Sequence, residues 1–206
     1  QENAKFSVQF CKGASPDLCR AVELQLGEAG SVKYFINKAG THVPMMKSVV
    51  ETDSWSVSGD ENVARHLVRV SNAGNAKSLY GNGDAILMSQ IDQWLSVYDR
   101  STCCASVRDS LVTLVDTHMS DKTFFVGSEL TLADIAMWTA MRKISFVPSF
   151  DAVPHASRWF EFASTTIAPW AAIPVSVVAP AAGAAQASKK GNAAATSSAS
   201  VAKEGE

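Results

Sequence analysis

Cys11 closes an alternating segment, Phe6-Ser-Val-Gln-Phe-Cys11, and Gly13-Ala-Ser15-Pro16-Asp17 follows it as a turn and a helix start. A thiol just ahead of a helix N-terminus has its thiolate favoured, so Cys11 can serve as a nucleophile or form a mixed disulfide. The competing reading is a half-buried inert thiol, and it carries more weight. Ser15 is expected to be the N-cap of that helix with Pro16 at its first position, which commits the serine hydroxyl to the backbone. Glu61 can pair with an amine, although a carboxylate at a helix start also needs no partner beyond the helix dipole. Cys19, Cys103 and Cys104 have no zinc-ligand spacing with one another or with His42, His66, His118 or His155. Adjacent Cys103 and Cys104 do not pair in an ordinary disulfide and suggest no reaction. Free thiols point to a reducing compartment, and hence to the cytoplasm.

The elements that would position these groups divide the chain. Residues 1–72 read β-α-β-β-β-α. A strand over 6–11 leads to a helix with Leu18, Val22 and Leu26 on one face, ended near Gly27. Lys33-Tyr-Phe-Ile36 is a second strand. Residues 45–51 and 54–57 form a hairpin joined near Asp53, and a helix over about 60–70 turns Val63, Leu67 and Val70 inward. After the turn-rich Tyr80-Gly-Asn-Gly83 no strand pattern survives. One helix from Asp84 carries Leu87, Ile91, Trp94, Leu95 and Tyr98, and another from about Cys104 carries Val107, Leu111, Leu114, Val115 and His118. A strongly apolar helix runs from Thr131 to about Phe146, and a last one covers 155–163 after Pro154. The spacing therefore predicts an α/β half over 1–72 and an all-α half over 84–172. Residues 177–206, Ala-, Ser- and Lys-rich without an aromatic, read as a flexible linker or tail. With Gln at the first position, the chain is expected to be part of a longer one.

Thr131-Leu-Ala-Asp134 has capping-box spacing, with Asp in place of the usual Glu: the threonine hydroxyl serves the third amide while the carboxylate reaches back to the amide of Thr131. In its context, Thr123-Phe-Phe-Val-Gly-Ser-Glu-Leu-Thr-Leu-Ala-Asp-Ile135, the box resembles the start of the central helix in glutathione-transferase-like domains. The resemblance implies a glutathione-transferase-like fold in which this box is structural and not catalytic. His42-Val43-Pro44-Met45 and Gly59-Asp60-Glu61-Asn62 resemble steps of the thioredoxin-like half of that fold. With few residues between Ile36 and Val43, its second helix is absent or shortened.

Ser78-Leu-Tyr-Gly-Asn82, Gln90-Ile-Asp-Gln-Trp-Leu95 and Ser157-Arg-Trp-Phe160 resemble, in order and spacing, the N-terminal domain appended to eukaryotic cytosolic glutamyl-tRNA synthetases, over about residues 60–165. The resemblance implies a non-catalytic module that docks to other transferase-like domains of synthetases or scaffold cofactors in a multisynthetase complex, or to a second copy of itself. The candidate contacts are Gln90 and Trp94 on one helix and His155 and Arg158 on the last, with core packing the weightier reading for Trp94 and a place at the helix start the weightier one for His155. Neither a His-Ile-Gly-His-like nor a Lys-Met-Ser-Lys-like motif occurs in these 206 residues, so any glutamate-tRNA ligase activity, with its ATP, would belong to the parent chain. No cofactor and no metal are expected here. A formal net charge of −2 argues against extensive tRNA contact, and no apolar run reaches the ~20 residues that span a bilayer. Two rivals remain: a glutathione transferase or thiol reductase using Cys11, and the gamma subunit of elongation factor 1 or a multisynthetase scaffold cofactor.

Overall fold

The computed structural model describes residues 6–10, 16–27, 32–36, 45–48 and 56–167. Among the described residues the first half is a four-stranded sheet with two helices; residues 37–44, where the second helix is expected to be absent or shortened, lie outside them. Strands β1 (Phe6–Phe10), β2 (Val32–Ile36), β3 (Met45–Ser48) and β4 (Ser56–Ser58) lie in the order β2-β1-β3-β4. β1 runs parallel to β2, with Val8 opposite Tyr34, so the chain must cross over between them; helix α1 (Asp17–Gln25) makes that crossing. β3 is antiparallel to both β1 and β4, and the pairing of Met46 with Val57 is that of a hairpin. Its join near Asp53 lies outside the described residues.

Leu18, Val22 and Leu26 are buried on α1 as their spacing requires, and Gly27 ends the helix at φ +69°. Cys19 and Ala21 are buried too, because α1 packs against α2 (Asp60–Val70) and against the central helix of the second half. Pro16 precedes the helix instead of opening it, and its carbonyl accepts the Arg20 N–H at 3.1 Å. On α2 the inner face is Asp60, Val63, Ala64, Leu67 and Val68. Val70 is 42% exposed, against expectation, because the buried stripe follows 60/63/64/67/68 and leaves the last residue outside it.

The second half is helical. A short α3 (Ala76–Leu79) and a turn at 81–83 lead to α4 (Ala85–Cys103), whose N-cap Asp84 accepts the amides of Ile86 and Leu87. Then come α5 (Ala105–His118), α6 (Leu132–Lys143) and α7 (Pro154–Thr166). On α5 only Leu111 and Val115 of the expected stripe are fully buried; Leu114 is exposed. α6 is buried from Leu132 through Met141, so it is the core helix around which α1, α4 and α7 are laid. It stops at Lys143, short of the expected Phe146, and Ser145 adopts a left-handed φ of 55°.

The start of α6 is held by the expected capping box. The Asp134 carboxylate accepts the Thr131 amide and hydroxyl, both at 3.0 Å, and also the Phe125 amide at 2.9 Å. The Trp159 indole N–H of α7 points to the same carboxylate at 3.4 Å. One fully buried side chain thus joins the helix start, the preceding loop and the last helix. Burial pushes its carboxyl pKa up, and the bonds from Phe125, Thr131 and Trp159 pull it back. Asp134→Ala orphans several buried donors and should cost about 2–4 kcal/mol in urea unfolding, against about 1 kcal/mol for Thr131→Ala. A loss at Asp134 no larger than that at Thr131 would mean that the box acts only locally.

Candidate functional site

Cys11 and Ser15 lie outside the described residues. The described thiol nearest to them, Cys19, sits in the first turn of α1 and is fully buried. Its Sγ lies 2.7 Å from Oδ1 of Asp60, the first residue of α2. Burial, and then the negative charge of Asp60, drive the thiol pKa well above its ordinary value. Cys19 is therefore a protonated donor and not a nucleophile. The same carboxylate accepts the amides of Leu18 and Cys19, both at 3.1 Å, which gives α1 a cap from 42 and 41 residues away. Tyr98 of α4 donates to Asp60 at 2.7 Å, and Lys143 of α6 donates to the Tyr98 oxygen at 2.7 Å. Glu61 beside it is half-buried, and burial raises its pKa. A cleft of about 210 Å³ adjoins this cluster, lined by Asp17, Trp138, Thr139, Arg142 and Lys143.

The outer faces hold the residues expected to meet a partner. Gln90 is exposed on α4. Trp94, four residues on, is only 8% exposed: its ring packs against His118 at 4.5 Å and Phe125 at 4.6 Å between centroids. Trp94 therefore fills the space between α4, the end of α5 and the loop before α6, which agrees with its core reading and removes it from the candidate partner contacts. His155 is half-buried at the start of α7, where its amide and that of Ala156 are both capped by Oδ1 of Asp116 at 2.9 Å. Arg158 is exposed, but its guanidinium donates to the carbonyls of Met119 at 2.7 Å and Lys122 at 3.1 Å, just past the end of α5. These four residues fall on two helices, α4 and α7, both packed against α6.

The segments singled out by resemblance perform folding tasks. Tyr80 of the first donates to Asp92 of the second at 2.8 Å, and Arg65 of α2 pairs with the same carboxylate at 2.9 Å. Arg69 adds a bond to the Tyr80 hydroxyl at 3.0 Å and lies 4.8 Å over its ring. Trp159 of the third reaches Asp134. Sequence reasoning missed the Tyr80–Asp92 pair and the Asp116 cap, since each joins residues on different elements. It also missed Val147, 77% exposed, and Phe150, 54% exposed, in the connection from α6 to α7, where no periodicity marks a face.

Residues 108–164 match the glutathione S-transferase, C-terminal domain family. That match lies within the helical second half, from α5 to α7. The fold is shared with glutathione transferases: glutathione transferase BmGSTD1 of Bombyx mori superposes with a TM-score of 0.63 at 17% identity, covering 83% of this chain and 93% of that one. In sequence the chain is 33% identical over 127 residues to the cytoplasmic glutamate--tRNA ligase of Arabidopsis thaliana, which is 62% of this chain and 17% of that protein. It is 30% identical over 107 residues to the bifunctional glutamate/proline--tRNA ligase of Cricetulus griseus, 49% of this chain and 7% of that one. The chain thus corresponds to a small part of each of these curated relatives. No helix among the described residues is long and apolar enough to cross a membrane.

Within this transferase-like domain His118 is the titratable member of the aromatic cluster. Its Nε2 meets the Phe125 carbonyl at 3.0 Å, and burial is the main cause that lowers its pKa. The unfolded chain then takes up the proton more readily than the folded one. This part of the stability is complete above the ordinary value of 6.5 and is lost as pH falls from there through the lowered native value. The urea midpoint should fall on going from about pH 7.5 to about pH 5, and His118→Gln should flatten that dependence. An unchanged slope in the variant would exclude His118 as its source.

Proposed function

We propose that this chain is a non-catalytic docking module of the glutamate--tRNA ligase type, binding other transferase-like domains through the outer faces of its helices. The observation that carries the reading is the similarity to two tRNA ligases, one for glutamate and one bifunctional for glutamate and proline, joined to a transferase fold. The described structure is compatible with it: the thiol of α1 is buried and protonated, and the Asp60 carboxylate is committed to backbone amides, a thiol and a tyrosine. Two surfaces are assigned. One is formed by α2 with α4, where Gln90 is exposed, and the other is the outer face of α7 around Arg158 and His155. Arg158 is held in place by its own chain before any partner arrives, which reduces the entropy lost on binding. The proposed partners are synthetase or scaffold domains of the same fold, with a second copy of this chain as a further option. The reading places the protein in the cytoplasm, in a multisynthetase complex serving translation. It assigns no cofactor to this chain and leaves aminoacylation to catalytic machinery elsewhere in a parent enzyme.

A second reading, a glutathione transferase or thiol reductase using Cys11, is favoured by the fold shared with enzymes such as BmGSTD1. It requires retention on glutathione resin and turnover of an electrophilic aryl halide. Neither should be seen under the docking reading.

The docking reading is tested by capture from cytosol followed by affinity measurement against the captured transferase-like domain. Synthetases or their scaffold should be recovered. Arg158→Ala should weaken binding by about tenfold, as expected for an arginine anchor. Because Arg158 also bonds the end of α5, its melting temperature is read alongside, and Gln90→Glu on the other surface serves as the variant without that role. Unchanged affinity in both variants would place the docking surface elsewhere.

A further inference from the structure

The geometry points to Lys143 as a latch that keeps the two halves of the molecule in one register. The halves meet where α1 and α2 pack on α4 and α6. Asp60 lies buried at that junction. From its own half its carboxylate takes the amides of Leu18 and Cys19 and the Cys19 thiol, and from the other half the Tyr98 hydroxyl. Those four donors satisfy its lone pairs, but all are neutral, so they leave its charge in place. Among the described residues, the cation within ion-pair distance of Asp60 is Lys143, in the last turn of α6, at 3.7 Å. Its ammonium also donates to Tyr98 at 2.7 Å and lies 3.9 Å from Asp17 at the start of α1.

Three features distinguish this arrangement from an ordinary surface pair. Both carboxylates belong to the first half and the ammonium to the second, so the attraction acts only while the halves are in contact. The Asp60 side is buried, and removing the countercharge leaves a buried carboxylate without a counter-ion. Finally, the buried apolar residues of α1 and α6 resist separation, but hydrophobic burial is non-directional. The ammonium and the tyrosine hydroxyl supply the direction, and they stand at the C-terminal end of α6, where the helix dipole also favours a positive charge. Loss of Lys143 should therefore promote opening between halves that each remain folded. The latch is independent of what the outer faces bind.

Cys19 reports on that opening, since its thiol is sealed inside the junction. The test uses the full 206-residue chain with Cys11, Cys103 and Cys104 replaced by serine, labelled with a maleimide in the absence of denaturant. When opening is fast, the labelling rate follows the open population. Lys143→Met should raise the rate by about tenfold or more with the far-ultraviolet circular dichroism unchanged, whereas Lys77→Met, an exposed lysine of α3, should leave it unaltered. Equal rates in Lys143→Met and the parent would overturn the proposal. Should Lys143→Met fail to fold, Lys143→Gln decides: it removes the charge while keeping a polar donor, so an accelerated rate supports the latch and a parental rate overturns it.

Discussion

A carboxylate that leaves water must find donors for its lone pairs, and Asp134 draws a large part of this molecule around that need. It is fully buried at the start of α6 and gathers the amide and hydroxyl of Thr131, the Phe125 amide and the Trp159 indole. The first two bonds begin the helix. The third fixes the loop that carries Phe125 beneath Trp94 and His118, and the fourth ties down α7. Because α6 is buried along its length and touches α1, α4 and α7, the way it starts decides where those elements can pack.

Asp60 does for the first half what Asp134 does for the second. In both cases a carboxylate at a helix start caps backbone amides and also reaches a different element, so one group serves local and tertiary order together. The difference lies in the number of halves involved: Asp134 works within the helical half, whereas Asp60 meets Tyr98 and Lys143 from across the junction. At the start of α1 the Asp60 carboxylate is taken up by the fold's own hydrogen bonds, to the amides of Leu18 and Cys19 and to the Cys19 thiol.

The outer surfaces are not independent of the interior. Arg158 faces solvent while holding the carbonyls beyond α5, and Asp92 is half-exposed while joining Tyr80 to Arg65. Side chains of this kind are set in place by the protein's own contacts, so the proposed docking faces would lose little freedom on binding. The same coupling explains why residues suggestive of a partner, Trp94 above all, serve as core.

Much of the architecture was legible in the residues alone. The alternation at 6–10, the stripe of Leu18, Val22 and Leu26, and the spacing of Thr131 and Asp134 each depend on neighbours within a few positions, where backbone geometry leaves little choice. Helix ends and faces were less secure, as Val70, Leu114 and the early stop of α6 at Lys143 show, because which edge of a stripe is covered depends on what packs against it. The candidate site was legible only as residue types. That Arg158 is committed to α5, that Trp94 is core, and that Cys19 bonds a carboxylate forty-one residues away were decided by the tertiary structure. Local periodicity determines which elements form. Burial and countercharge, which arise only when distant elements meet, determine which side chains remain available for anything else.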